Sequence, residues 1–179
     1  MPAQYHFLSE YRLRGDPEAL WAALADVPGW TAWWSWLKKV ELLHPATGPD
    51  GLGASYRNTV RAPAGYGFVY TTEVTDVDHL RRIDLLSSGD IAGRGRFLIA
   101  PTASEEIDLR FAWLVSTPKP WMTAIAPVAR PMFNWNHDRM MRAFGGGVAK
   151  AAGLELVSTR NTALPPGSPG FQVMPAAPG

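Results

Sequence analysis

The 179-residue chain carries 17 Lys and Arg against 16 Asp and Glu, with 46% hydrophobic residues, 18% charged residues and no cysteine. That balance is the one of a single globular domain with a real core, and the scattered basic residues give no footprint for nucleic acid. The missing cysteines exclude disulfides, thiolate nucleophiles and Cys-bound metals.

The first residues, MPAQYHFLSE, lack the basic-then-apolar layout of a secretion signal, and no run approaches the roughly 18 apolar residues of a membrane span. A soluble, cytoplasmic protein that is not transmembrane is therefore expected. Tyr5, Phe7, Tyr11 and Leu13 alternate with His6, Glu10 and Arg12, which predicts an opening strand with one buried face. Asp16 and Pro17 then read as an N-cap and a first helical residue, starting a short helix over 17–25 that turns Leu20, Trp21 and Leu24 inward. A second short helix follows through Trp30, Trp33, Trp34 and Trp36. Four Trp so close together cannot share one direction, so some close the core and others sit at its rim.

From residue 40 to 115 the pattern becomes short alternating runs divided by Gly, Pro and Asp turns, the mark of an antiparallel meander with one covered face. Tyr56, Asn58 and Val60 share a face. So do Tyr66, Phe68, Tyr70, Thr72 and Val74, then Ile83, Leu85 and Ser87, then Gly95, Phe97 and Ile99. In the last run Ile107, Leu109, Phe111, Trp113 and Val115 face one way, with Asp108 and Arg110 opposite. A long helix then begins near residue 121 or 122. Its apolar stripe runs through Phe133, Met140, Met141, Phe144, Val148 and Ala151, and His137 lies on that stripe. Three consecutive glycines, Gly145 to Gly147, cost a helix about 1 kcal/mol each, which points either to close approach of the helix to the sheet or a ligand or to local fraying of the helix end. From Thr162 onward the chain is dense in Pro and Gly without a period, which predicts a flexible tail.

Few residues in this chain carry chemistry. An imidazole on an apolar helical face acts as an acid or base near neutral pH, anchors a ligand oxygen, or simply bonds a neighbour such as Asn134. Asn58, Tyr70, Thr72 and Ser87 interrupt apolar faces, and polar groups buried there need partners, supplied by a ligand, by water or by one another. Asp90 is placed either as a carboxylate at a cavity mouth or as a turn residue bonding its own loop. The four His fall in separate elements with no metal-ligand spacing, so no metal is expected. The glycine triplet ends a helix instead of starting one, which rules out a phosphate loop, and there is no Gly-x-Ser-x-Gly elbow.

The order strand, two short helices, meander and long helix, together with Trp30-Thr31-Ala32-Trp33-Trp34, the turn Ser88-Gly89-Asp90-Ile91-Ala92-Gly93-Arg94-Gly95 and Phe133-Asn134-Trp135-Asn136-His137-Asp138, resembles the START-like helix-grip superfamily of polyketide cyclases and dehydrases (SRPBCC type). The resemblance covers roughly residues 4 to 157. It implies an α+β helix-grip fold, in which a curved antiparallel sheet of about six to seven strands wraps a long C-terminal helix, with two short helices after the first strand. A domain over 1–157 and a Pro/Gly-rich tail over 158–179 follow from it. It also implies a cavity between sheet and helix for lipids, polyketides or other flat apolar molecules. Trp33, Asn58, Tyr70, Thr72, Ser87, Phe97, Phe111, Trp113, Phe133, His137 and Met141 are the residues expected to meet such a ligand. No dedicated catalytic signature maps onto the chain, and His137 is the single catalytic candidate. The expected function is binding of a small apolar ligand without a cofactor, with oligomeric state left open. The alternatives are a cyclase or dehydratase using His137 as acid or base, and a module docking a protein or membrane through the Trp of residues 30–36.

Overall fold

A computed structural model describes residues 3–102, 105–117, 120–165 and 168. Strand β1 (Ala3–Arg14) leads into helix α1 (Pro17–Ala25), whose first turn is capped by the Asp16 carboxylate accepting the Glu18 amide at 3.0 Å. A single 3-10 turn at Val27–Gly29 redirects the chain into the short helix α2 (Trp30–Trp33). Six strands follow: β2 (Leu37–His44), β3 (Ser55–Arg61), β4 (Gly67–Asp78), β5 (Arg82–Gly89), β6 (Ala92–Pro101) and β7 (Glu106–Thr117). Helix α3 (Pro120–Ala152) then crosses the sheet, and β8 (Glu155–Leu164) ends the described fold.

The strands form one antiparallel sheet in the order β2-β3-β4-β5-β6-β7-β1-β8. Irregular register at Leu37/Lys39, Leu42/His44, Val74/Asp76 and Arg12/Leu13 marks places where extra residues bend and twist a strand, which is how a sheet curves around a helix. The structure is thus the expected helix-grip fold with α+β composition.

Two expectations need correction. The sheet has eight strands, not six or seven, and the boundary expected at residue 157 falls inside β8. That strand pairs with β1 from Arg14↔Glu155 to His6↔Leu164. It is an edge strand held by main-chain hydrogen bonds, and its side chains are exposed or half-buried. It therefore leaves no strong period-2 apolar signal to read. Most of the expected tail beyond Leu164 lies outside the described residues.

The core lies between the concave face of the sheet and the inner stripe of α3. Phe144 and Val148 are fully buried there against Leu13, Leu20, Leu24, Ile99 and Leu109. Ala149, and not Ala151, completes the stripe. The glycine triplet is explained by close approach. A Cβ on Gly145 would sit 2.5 Å from Tyr11 Cδ1, and one on Gly147 would sit 2.6 Å from the Trp33 carbonyl oxygen, whereas one on Gly146 would meet nothing within 4 Å. Two hydrogen bonds clamp the same segment. Tyr11 Oη donates to the Met141 carbonyl at 2.8 Å, and Trp34 Nε1 donates to the Met140 carbonyl at 2.9 Å.

Candidate functional site

Between α3 and the sheet lies a cavity offering about 160 Å³ to the centre of a water-sized sphere, so the void bounded by the atoms is larger. The alternation read from the sequence builds its wall. Successive inward residues of β4 give Phe68, Tyr70, Thr72 and Val74, while β7 gives Phe111, Trp113 and Val115, and α3 gives Phe133, His137 and Met141. Gly95 pairs with Trp113 across β6 and β7, and a Cβ there would meet the Trp113 and Phe111 rings. The missing side chain is what lets those rings lie over the sheet.

Asn58, Tyr70, Thr72, Phe97, Phe111, Trp113, Phe133, His137 and Met141 all lie on this wall. Trp33 and Ser87 do not. Trp33 packs edge-on to Phe144 at 5.4 Å, and the rings of this segment that line the cavity are those of Trp30 and of Trp34, the residue just past the end of α2. Ser87 is buried on the inner side of β5, but its hydroxyl donates to the Ile91 carbonyl at 2.8 Å and fastens the turn between β5 and β6. Asp90 lines the cavity, and its carboxylate accepts the amide of Val69 in the neighbouring strand β4 at 3.0 Å, a bond across the sheet and not within its own turn. The Trp of residues 30–36 are not an exposed docking patch. Trp34 is 6% exposed and Trp30, Trp33 and Trp36 are half-buried; the rings of Trp30, Trp33 and Trp34 pack on Phe144, and Trp36 packs against the core.

Most polar groups on the wall have partners within the protein. Asn58 Nδ2 donates to Thr72 Oγ1 at 2.9 Å, joining two of the anticipated polar residues to each other. Asn136, which the sequence reading passed over, accepts the Ala64 amide at 3.0 Å and donates to Tyr66 Oη at 3.1 Å. It ties α3 to the turn before β4. Its signal in the sequence was an amide one position from His137 on a helix whose buried face is wider than a single stripe.

Two groups differ. Tyr5 Oη and His137 Nε2 are buried with no hydrogen-bond partner among the described residues, and both residues line the cavity. They belong to one aromatic ladder. Tyr5 stacks on Phe7 at 6.0 Å, and Phe7 stacks on the His137 ring at 3.8 Å and 10°. Phe133 closes this end edge-on to Tyr5 at 5.5 Å. Tyr5 and Phe7 were legible as a buried strand face but not as part of the wall.

The electrostatics follow from burial. Desolvation pushes the His137 imidazole from its ordinary 6.5 down to about 3, against the opposing pull of Asp138, so the ring is neutral at physiological pH. Asp138 is held as a carboxylate by Arg142 and Asn161 and does not serve the ring. Burial raises the phenols of Tyr5, Tyr66 and Tyr70, which keeps them protonated as donors. The only charged side chains on the described wall are the carboxylates of Asp50 and Asp90. Such a site can enclose a flat apolar molecule and hydrogen-bond its oxygens through neutral groups.

Comparison with known proteins agrees with this architecture. The fold is similar to the Zhui aromatase/cyclase from Streptomyces sp. R1128, with TM-score 0.69 and 19% identity over 84% of this chain and 94% of that one. It is similar to a conserved protein from Geobacillus kaustophilus, with TM-score 0.68 and 18% identity over 87% and 98% of the two chains. A START superfamily protein from Mycobacterium smegmatis gives TM-score 0.62 and 18% identity over 81% and 98%. No curated protein matches the sequence. Residues 14–145 match the family described as polyketide cyclase / dehydrase and lipid transport. That match, over most of the chain, makes this chain a member of the polyketide cyclase / dehydrase and lipid transport family.

Proposed function

We propose that this protein binds a small, flat apolar molecule in the cavity between the sheet and α3. The observation that supports this most is the wall itself, with aromatic rings on the sheet, the helix and α2, and two buried polar atoms left without partners. Buried polar groups are paired in the great majority of cases, and leaving one unpaired costs roughly 1–3 kcal/mol. A bound ligand would relieve that cost. Titrating flat apolar compounds should quench the fluorescence of Trp30, Trp34 and Trp113 saturably. At a hundredfold excess over Kd, ligand should raise Tm by about 5–10 °C. A panel of such compounds giving neither saturable quenching nor a thermal shift would remove the reading.

A second reading, a cyclase or dehydratase, is favoured by the fold shared with the Zhui aromatase/cyclase and by the protonated Tyr70 phenol on the wall. Tyr70 would polarise a ligand carbonyl, with His137 as proton acceptor. The low basicity of His137 makes it a weak base and no acid at neutral pH, which is why binding is preferred. Turnover of a linear poly-β-ketone falling at least about tenfold in His137→Gln would favour the enzyme; retained turnover would take His137 out of it.

A further inference from the structure

The polar groups of the wall differ in what holds them. Asp50, Tyr66, Asp90 and Asn136 bond within the protein, and the indoles of Trp30 and Trp34 donate to the Ala23 and Met140 carbonyls. Tyr70 is different. It is half-buried on the inner face of β4, so the surface it keeps belongs to the cavity that it lines. Burial alone acts on its phenol, with no hydrogen bond and no charge from a described residue. Asn58 lies directly opposite Tyr70 across β3 and β4, and Thr72 is the next inward residue of β4. Asn58 Nδ2 donates to the Tyr56 carbonyl at 3.3 Å and to Thr72 Oγ1 at 2.9 Å. A main-chain carbonyl only accepts, which fixes this side of the amide as its nitrogen. Both Nδ2 protons are then used, and Oδ1 remains as an acceptor with no partner among the described residues.

Side by side on the sheet, these residues offer a ligand the hydroxyl protons of Tyr70 and Thr72 and one oxygen, Asn58 Oδ1, that only accepts. The neighbouring wall, Phe68, Val74 and Trp113, is apolar. A hydrocarbon laid over this patch strips water from Asn58 Oδ1 and returns nothing. A ketone meets the hydroxyls and still leaves that oxygen unmet. A group that donates and accepts together meets all three. We propose that Asn58, Tyr70 and Thr72 form a polar seat in the cavity that selects ligands bearing a carboxamide, or another neutral group of the same kind. The ligand N–H donates to Asn58 Oδ1, and its oxygen accepts from Tyr70 or Thr72. This inference rests on the cavity being a binding site, and it names the residues that set its specificity.

The test titrates three probes with one ring system against the whole chain at pH 7.5, read by Trp fluorescence. They are 2-naphthamide, 2-acetonaphthone, in which a methyl group stands where the amide has its nitrogen, and naphthalene. Wild type should bind 2-naphthamide about tenfold more tightly than 2-acetonaphthone, the scale of one unmet buried hydrogen-bonding group. Asn58→Leu combined with Thr72→Val replaces the bonded pair by apolar groups of similar shape, a nearly neutral change for stability, and should bring the two probes within about twofold. Tyr70→Phe should weaken both by about tenfold and keep their ratio. Naphthalene affinity should hold throughout, which shows that the cavity survives each change. If wild type binds amide and ketone alike, or the preference persists without Asn58 and Thr72, the seat is wrong and the cavity reading stands. Unchanged affinities in Tyr70→Phe would overturn the three-residue seat. If none of the three probes binds, the cavity reading itself fails and takes the proposal with it.

Discussion

The three consecutive glycines of α3 should respond to the same substitution with opposite signs. Alanine is favoured over glycine inside a helix by about 1 kcal/mol. At Gly146 a new Cβ meets nothing within 4 Å, so Gly146→Ala should gain that amount and raise Tm by about 2–4 °C. At Gly145 the Cβ would lie 2.5 Å from Tyr11 Cδ1, where ordinary contact begins at 3.4 Å. The ring would have to retreat by about 1 Å, but it is buried and held by its bond to the Met141 carbonyl. Overpacking of this kind costs about 1–3 kcal/mol, enough to cancel or reverse the helical gain. Gly147→Ala is worse placed, because its nearest neighbour is the Trp33 backbone oxygen at 2.6 Å, and a backbone atom cannot swing aside. Urea unfolding with a common m-value should rank Gly146→Ala above wild type, and wild type above Gly145→Ala and Gly147→Ala. Equal stabilisation by all three would mean that α3 is not seated against Tyr11 and Trp33.

Other outcomes follow from the same site. His137 holds its folded value near 3 against an ordinary 6.5, so above pH 6.5 neither folded nor unfolded chain carries that proton. Below it the unfolded chain binds a proton that the folded one refuses, and stability should fall by about 2 kcal/mol by pH 5. Denaturation of His137→Phe at pH 7.5 and pH 5.0 should lack that share of the loss; an identical slope would mean that the ring is not desolvated. Asn136→Ala strips partners from the Ala64 amide and Tyr66 Oη and should lower Tm by roughly 2–10 °C, with an unchanged Tm refuting the tie. Trp135 is 50% exposed, with Arg139 over its ring at 5.7 Å. Trp135→Phe should reduce quenching by aqueous acrylamide yet leave ligand-induced quenching intact. Loss of the ligand signal in that variant would put the ligand on the outer face of α3.

How much of this the sequence showed depended on where burial left a pattern. Strands β3 to β7 were readable because the inner face carries the large side chains at every second position, as with Tyr56, Asn58 and Val60, or Phe111, Trp113 and Val115. The Asp16-Pro17 start of α1 was readable because capping is local. Strand β8 was not, since an edge strand is specified by main-chain pairing with β1 and by chain reversal at Gly153 (φ 69°), neither of which alternates. The choice of Trp34 over Trp33 was hidden for a different reason. A helix of one turn has no stripe, and its rotation is set by the 3-10 turn before it and by the Met140 carbonyl that receives the Trp34 indole. His137 could be placed on the inner face by periodicity. That its nitrogen would lack a partner, and that Tyr5 would share that condition from 132 positions away in the chain, depends on tertiary packing alone.

Isothermal titration with 2-naphthol over a range of temperatures tests the central claim most directly. Burial of a flat apolar ring against Trp34, Tyr70, Trp113 and Phe133 should give one saturable site per chain with a negative heat-capacity change, the durable mark of apolar surface leaving water. Heats that do not saturate, or a heat-capacity change indistinguishable from zero, would contradict a ligand enclosed between sheet and helix.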